Sequence, residues 1–242
     1  SDGLINDAIL SAAQDAGGRL YVGTTVGLSI FFQNKFQSYS QREGLNATEI
    51  WDVTIDPQGF IWLGTFNGLK LLIPDNYFSL YPNITPGESE KARNLINQSQ
   101  KIKDFHSVNL SSFPELNGRR VVDIVVDNRQ RIWFASTDEG IGYFTIDNEG
   151  KFKFRLFTTQ HGLVNNNPWC LYEDSQHRIW AGMIGGGVAL FDEKSETFYK
   201  FTQKDGLADD VALALYEDAL GNLWIGSERG ITRLDIQKLP PP

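Results

Sequence analysis

The chain is poor in the residues that build chemistry and staples. Cys170 is its one cysteine in 242 residues, which excludes a disulfide framework and any multi-cysteine zinc site. Three histidines, His106, His161 and His177, are too few and too scattered for a metal centre or a histidine-based triad. Basic residues are in the minority: 22 Lys+Arg against 30 Asp+Glu leave a net charge of −8, the wrong sign for a nucleic-acid partner. No apolar run approaches the roughly 20 residues of a membrane span. The first residues, SDGLINDAIL, carry no basic and apolar leader pattern. Neither GxGxxG nor GxxxxGK[ST] occurs, and Gly185-Gly186-Gly187 reads as a strand-return loop, not a phosphate cradle. What is abundant is glycine (23) and aromatics (Trp 6, Tyr 8, Phe 16), the mixture of short strands and tight turns.

Five segments share one pattern. They begin at Asp15 (DAGGRLYVGTTVGLSIF), Asp56 (DPQGFIWLGTFNGLKLL), Asp127 (DNRQRIWFASTDEGIGYF), Asp174 (DSQHRIWAGMIGGGVALF) and Asp218 (DALGNLWIGSERGITRL). Three of the four spacings are near forty-four residues and one is about thirty longer, so there are five copies and one insertion. Each copy reads as four strands. An apolar run ends at the aspartate, a four-residue turn of type I chemistry follows, and an aromatic strand leads through a glycine loop into a third strand. The fourth, outer strand is KFQSYS, YFSLYP, FKFRLFT or TFYKFT, and a turn recurs after it as EGL, HGL and DGL.

Four antiparallel strands at this period predict an all-β chain, a β-propeller of about five four-stranded blades with one helical insertion. The blades fall at about 5–42, 46–82, 119–159, 164–203 and 208–238, in one propeller domain or propeller fragment over 1–242. The insertion is 83–118. Its stretch EKARNLINQSQKIKDF spaces Ala92, Leu95, Ile96, Ile102 and Phe105 as one amphipathic helix of about four turns, with Lys101 and Lys103 near its end. SDGL at the start repeats the turn after a fourth strand, and the last copy stops after its third strand, so the expectation is an incomplete last blade, part of a larger ring. Trp62, Trp133, Trp180 and Trp224, with Tyr21, hold equivalent positions and are expected to pack blade on blade. Cys170, between Trp169 and Leu171, is expected to be buried and inert.

The repeat resembles the two-component regulator propeller repeat. Glu173-Asp174, Trp180, Gly182, Gly187, Val188, Phe191, Asp192 and the turn Asp205-Gly206-Leu207 carry the likeness, as do Glu217-Asp218, Trp224, Gly226, Gly230, Ile231, Leu234 and Asp235. The second copy ends in Ile73-Pro74, the third has Ala135 for the glycine and the first has Tyr21 for the tryptophan. The likeness covers almost the whole chain outside 83–118. It implies the periplasmic, ligand-sensing part of a bacterial hybrid sensor histidine kinase, a class in which many members respond to oligosaccharides. It also implies seven-bladed rings with membrane and kinase parts elsewhere in the receptor.

No catalytic residue, metal site or cofactor is expected. Binding is expected on the face where fourth-to-first and second-to-third loops emerge. Its candidates are Asn46, Glu49, Phe66, Asn67, Asp138, Glu139, Asn166, Asn167, Met183, Asp210, Glu228 and Arg229. Amides, carboxylates, a guanidinium and a ring are what a small polar ligand such as an oligosaccharide requires. The insertion leaves from the same kind of loop and is expected to overhang this face. The expected partners are that ligand, a second copy or neighbouring receptor domains, with no nucleic acid. Two other readings stand beside this one: a protein-interaction scaffold without a small ligand, and a lyase or hydrolase on the loop face.

Overall fold

The computed structural model describes residues 3–108, 110 and 118–239. Residues 1 and 2 of the SDGL turn, Asn109, the stretch 111–117 of the insertion and the final prolines lie outside the described residues. The chain folds as two compact units. One runs up to Ile124 and includes Thr145–Lys153; the other holds Val125–Phe144 and the residues from Phe154 on.

Among the described residues there are five antiparallel sheets, and the fold is the β-propeller type. The first sheet orders β1 (Ile9–Gln14), β2 (Leu20–Thr24), β3 (Leu28–Phe32) and β4 (Lys35–Tyr39) in sequence. The second opens with β5 (Ile50–Ile55), β6 (Ile61–Thr65) and β7 (Gly68–Pro74). Then come α1 (Tyr77–Leu80), α2 (Pro86–Asn97), β8 (Gln100–Ile102) and β9 (Phe105–Val108), and the sheet order is β5-β6-β7-β9-β8. The third is β10 (Val121–Val126), β11 (Ile132–Ser136), β12 (Gly140–Ile146) and β13 (Phe152–Phe157). The fourth is β14 (Pro168–Glu173), β15 (Ile179–Met183), β16 (Gly187–Asp192) and β17 (Thr197–Phe201). The fifth has three strands, β18 (Ala212–Glu217), β19 (Asn222–Ser227) and β20 (Gly230–Asp235).

Each repeat is built around its aspartate. One carboxylate oxygen caps the turn by accepting backbone N–H groups, as Asp174 does from Gln176 and Arg178. The other accepts the indole N–H six residues on: Asp56–Trp62 at 3.0 Å, Asp127–Trp133 at 2.8 Å, Asp174–Trp180 at 2.8 Å and Asp218–Trp224 at 2.8 Å. In the first repeat the Tyr21 hydroxyl donates to Asp15 at 3.2 Å. The aromatic position therefore locks turn to strand as well as filling the core. Trp62, Trp133 and Trp180 are fully buried, whereas Trp224 is partly exposed.

The turn after the fourth strand is a 3-10 turn closed at both ends. The Ser40 N–H donates to Glu43, the Thr158 N–H to the His161 ring and the Thr202 N–H to Asp205. Gly44, Gly162 and Gly206 then take the left-handed conformation, and Leu45, Leu163 and Leu207 drop into the core.

Three expectations about the second repeat and its insertion are corrected. YFSLYP is not a strand: Tyr77 begins a single helical turn, its ring stacking on Phe60 at 5.3 Å and its hydroxyl donating to the Gln58 carbonyl at 2.7 Å. The helix ends at Asn97, and Lys101 lies on β8, not in its last turn. Ile102 and Phe105 have a spacing that suits a helix, but Asp104 at φ 59° makes a two-residue hairpin of them. Both then bury against Tyr39 and Leu45. β9 pairs with β7 from Leu71↔Val108 to Pro74↔Phe105 and so fills the fourth-strand slot. Since α1 packs on the first-to-second-strand turn, the insertion begins at the end of this sheet away from the second-to-third loop. It does not leave from the loop end. Cys170 is half-buried, not buried.

Candidate functional site

The registers place one end of each sheet unambiguously. In the second sheet Ile50 pairs with Thr65, so the loop before β5 and the turn between β6 and β7 emerge together. That end belongs to the first unit. A bulge between Ile50 and Asp52 leaves Trp51 as the extra residue, and such a residue is re-aimed out of the strand alternation. Trp51 donates its indole N–H to Glu49 at 3.1 Å. The Arg120 guanidinium, just before β10, lies 5.1 Å from the Trp51 ring centre and 5.3 Å from that of Phe66. Phe66 is exposed, its N–H bonded to the Glu49 carbonyl at 3.1 Å. The cluster therefore offers two rings, a cation and a carboxylate within one patch.

Of the four candidates in this unit, Glu49 and Phe66 join that patch. Asn67 is exposed beside them in the same turn, and Asn46 sits in the preceding loop at φ 47°. Trp51 and Arg120 were not among the candidates read from the sequence. The signal that could have found Trp51 is its recurrence: Trp169 stands at the same bulge in the fourth sheet.

The same end of the sheets in the second unit is more fully occupied with its own structure. The Asn166 side chain accepts the Thr159 N–H at 2.9 Å, and Asn165 reaches the Ile184 carbonyl at 2.9 Å. Asn167 accepts the Ile184 N–H through its backbone carbonyl. The Asp210 carboxylate accepts the Gln203 N–H at 2.7 Å. Met183 is fully buried at the end of β15 and offers nothing to solvent. Asp138, at φ 69°, and Glu139 make the β11–β12 turn. Glu228 and Arg229 are exposed in the β19–β20 turn, where Arg229 approaches the buried Asp209 at 3.7 Å.

The first unit also has a cleft of about 510 Å³, lined in part by Arg19, Lys35, Gln37, Tyr39 and Asp104. Its volume is in the range of small-molecule sites. Its polar groups are engaged with one another: Asp104 accepts from Gln37 at 2.6 Å and from the Tyr39 hydroxyl at 3.0 Å. The histidines stand apart. His161 closes a turn, His177 bonds Glu173 at 3.1 Å and His106 bonds Ser99 at 3.2 Å. Among the described residues no three His, Cys, Asp or Glu side chains gather as a metal site. None of their helices is long and apolar enough to cross a membrane.

Three segments, 44–67, 162–185 and 206–229, match the two component regulator propeller family. Each runs from the left-handed glycine through the first two strands to the second-to-third turn, and so contains the loop-end residues themselves. No curated protein matches the chain. Among solved structures, the extracellular domain of BT4673, a candidate one-component system from B. thetaiotaomicron, superposes with a TM-score of 0.67 at 19% identity, covering 93% of this chain and 27% of that one. PorZ, a surface component of the type-IX secretion system of Porphyromonas gingivalis, gives a TM-score of 0.63 at 16% identity, over 94% and 32%. Virginiamycin B lyase from Staphylococcus aureus gives 0.62 at 15% identity, over 100% and 74%. The chain thus spans between a quarter and a third of the first two. At such identities the likeness shows the fold alone.

Proposed function

The chain carries two-component regulator propeller repeats, and from that premise we propose that it is the non-enzymatic sensing part of a periplasmic or extracellular bacterial receptor. It binds a small polar ligand, an oligosaccharide being the class that fits, at the loop end of its blades. Binding is relayed by conformational change or dimerisation. The observation that carries this reading is the Trp51–Arg120–Phe66 patch with Glu49 beside it. Sugars present C–H faces that stack on rings and hydroxyls that bond carboxylates and guanidinium groups. The scattering of the three histidines favours recognition over hydrolysis or elimination.

Calorimetric titration against a panel of neutral oligosaccharides tests it. A binding member is expected, and Phe66→Ala should weaken it by about tenfold or more, the scale of one lost stacking contact. Lys35→Ala, in the cleft, should leave the affinity unchanged. Binding lost with Lys35→Ala and kept with Phe66→Ala would move the site to the cleft. No heat with any glycan would remove the oligosaccharide reading.

A further inference from the structure

One arginine of this chain lacks the partner that its counterparts in later repeats possess. Arg131, four residues after Asp127, gives its Nε to that aspartate at 2.5 Å and its two outer nitrogens to Glu193 of the following sheet, at 2.7 and 2.9 Å. Register locates the counterparts of Glu193. Trp180 pairs with Leu190, Trp224 with Arg233 and Trp62 with Leu71, so the residue three beyond is Glu193 in the fourth repeat, Ile236 in the fifth and Pro74 in the second. Ile236 still offers its backbone carbonyl, which accepts from Arg178 at 3.2 Å. Pro74 has no side-chain acceptor. Arg19 gives its Nε to Asp15 at 2.7 Å, and among the described residues its two outer nitrogens have no hydrogen-bond partner.

Arg19 and Pro74 both line the cleft of about 510 Å³, and Arg19 is an exception to the mutual pairing of its polar groups. Both walls of the cleft come from consecutive sheets inside the chain. The face of the first sheet that lines it carries Tyr21 and Ile30, which pack with Ile61 and Leu63 of the second. The Arg19 side chain is 16% exposed, so a charge brought to it is only partly screened by solvent. Leu20 pairs with Phe31, which sets Arg19 beside Phe32 on one face of the sheet. Phe32 is 43% exposed and lines the cleft with the half-buried Leu80 of α1. A guanidinium with two free donors therefore stands next to an open ring.

We propose that this cleft binds a small aromatic carboxylate. Its carboxylate takes the outer nitrogens of Arg19 as Glu193 takes those of Arg131, and its ring lies on Phe32 between Pro74 and Leu80. Paired N–H donors on a planar guanidinium match a carboxylate in geometry and charge. Arg131 shows that the turn aspartate and a second carboxylate share one guanidinium in this fold. Asp104 also lines the cleft, which favours a single negative charge over a phosphate dianion. Arg19 belongs to a first-to-second-strand turn and Phe66 to a second-to-third one, so the two sites lie at opposite ends of the sheets. The proposal is independent of the oligosaccharide reading.

Calorimetric titration with benzoate, beside benzamide as its uncharged isostere, reads it. Benzoate is expected to bind with a submillimolar dissociation constant, and benzamide about tenfold more weakly or less. Arg19→Asn should weaken benzoate by about tenfold or more. It keeps the turn, because Asn222 at the same place in the fifth repeat holds Asp218 through its amide at 3.0 and 3.1 Å. Pro74→Glu installs the carboxylate that Arg131 has and should abolish benzoate binding by occupying Arg19. Phe32→Ala, at an exposed site, should cost about threefold. Circular dichroism of the three variants should match the wild type. A wild type that takes up no benzoate, equal affinity for benzamide, binding that survives Arg19→Asn or Pro74→Glu, or indifference to Phe32→Ala would each overturn the proposal.

Discussion

Asp56 and Asp218 make the same bonds to the backbone and to an indole, and their carboxyls shift in opposite directions. Burial pushes Asp56 up from 3.8 to about 6, against the N–H donors from Trp62 and Phe60. The turn aspartates Asp15, Asp127 and Asp174 each have an arginine four residues on, at 2.7, 2.5 and 2.6 Å. Asp56 has Phe60 there. At Asp218 the backbone N–H of Asn222 and the Trp224 indole lower the carboxyl to about 2. The signs follow by linkage. The folded state holds the Asp56 proton more tightly, so that contribution is complete below pH 4 and lost as pH rises through 6. The Asp218 contribution is present above pH 4 and lost as pH falls through 2. Asp56→Asn removes the first alone. The stability difference between wild type and Asp56→Asn, from urea unfolding, should move against the wild type by roughly 2–3 kcal/mol between pH 4 and pH 7. A difference that stays flat with pH would mean Asp56 titrates normally. The repeat made all five aspartates visible in sequence, and with them Phe60 in place of the arginine, but the upward shift comes from burial, which only the packed structure supplies.

At the scale of elements, the 3-10 turns isolate two demands on one glycine. Gly162 and Gly206 both sit at strongly positive φ, 93° and 103°. A Cβ on Gly162 would also lie 2.6 Å from the Phe198 oxygen, whereas on Gly206 it would meet nothing within 4 Å. Gly206→Ala should cost only the left-handed conformation, about 1–2 kcal/mol, and Gly162→Ala at least twice that. Chemical denaturation of the two variants compares them directly, and equal losses would show that conformation alone governs the position. Strands whose slot recurs in every repeat were legible because period and turn chemistry agree at five places. The insertion was not. Ala92, Leu95 and Ile96 do lie on a helix, but Ile102 and Phe105 fit helical and hairpin spacing alike, and the choice went to the unfilled slot beside β7. A long-range vacancy of that kind has no local signature. The site shows the same limit. Glu49 and Phe66 could be read from loop positions, yet Trp51 needed the bulge and Arg120 the return of the chain from the insertion.

For the molecule as a whole, stability in a repeat fold is local, a sum of sheet and interface contributions. Within the second unit the fourth and fifth sheets are a matched comparison. β16 pairs on both sides, with β15 and β17, and is buried throughout. Among the described residues β20 pairs only with β19, and its first two residues are exposed. The buried face of the fifth sheet is fastened by Leu223 and Ile225 under Trp180 and by Ile236, so the sheet folds but rests on one interface where the fourth rests on more. Its opening should therefore cost less than opening of the fourth. Amide hydrogen exchange should show the paired amides of β19 and β20 less protected than those of β15 and β16 by about 2 kcal/mol or more. Uniform protection across both sheets would show that the second unit opens only as one cooperative block.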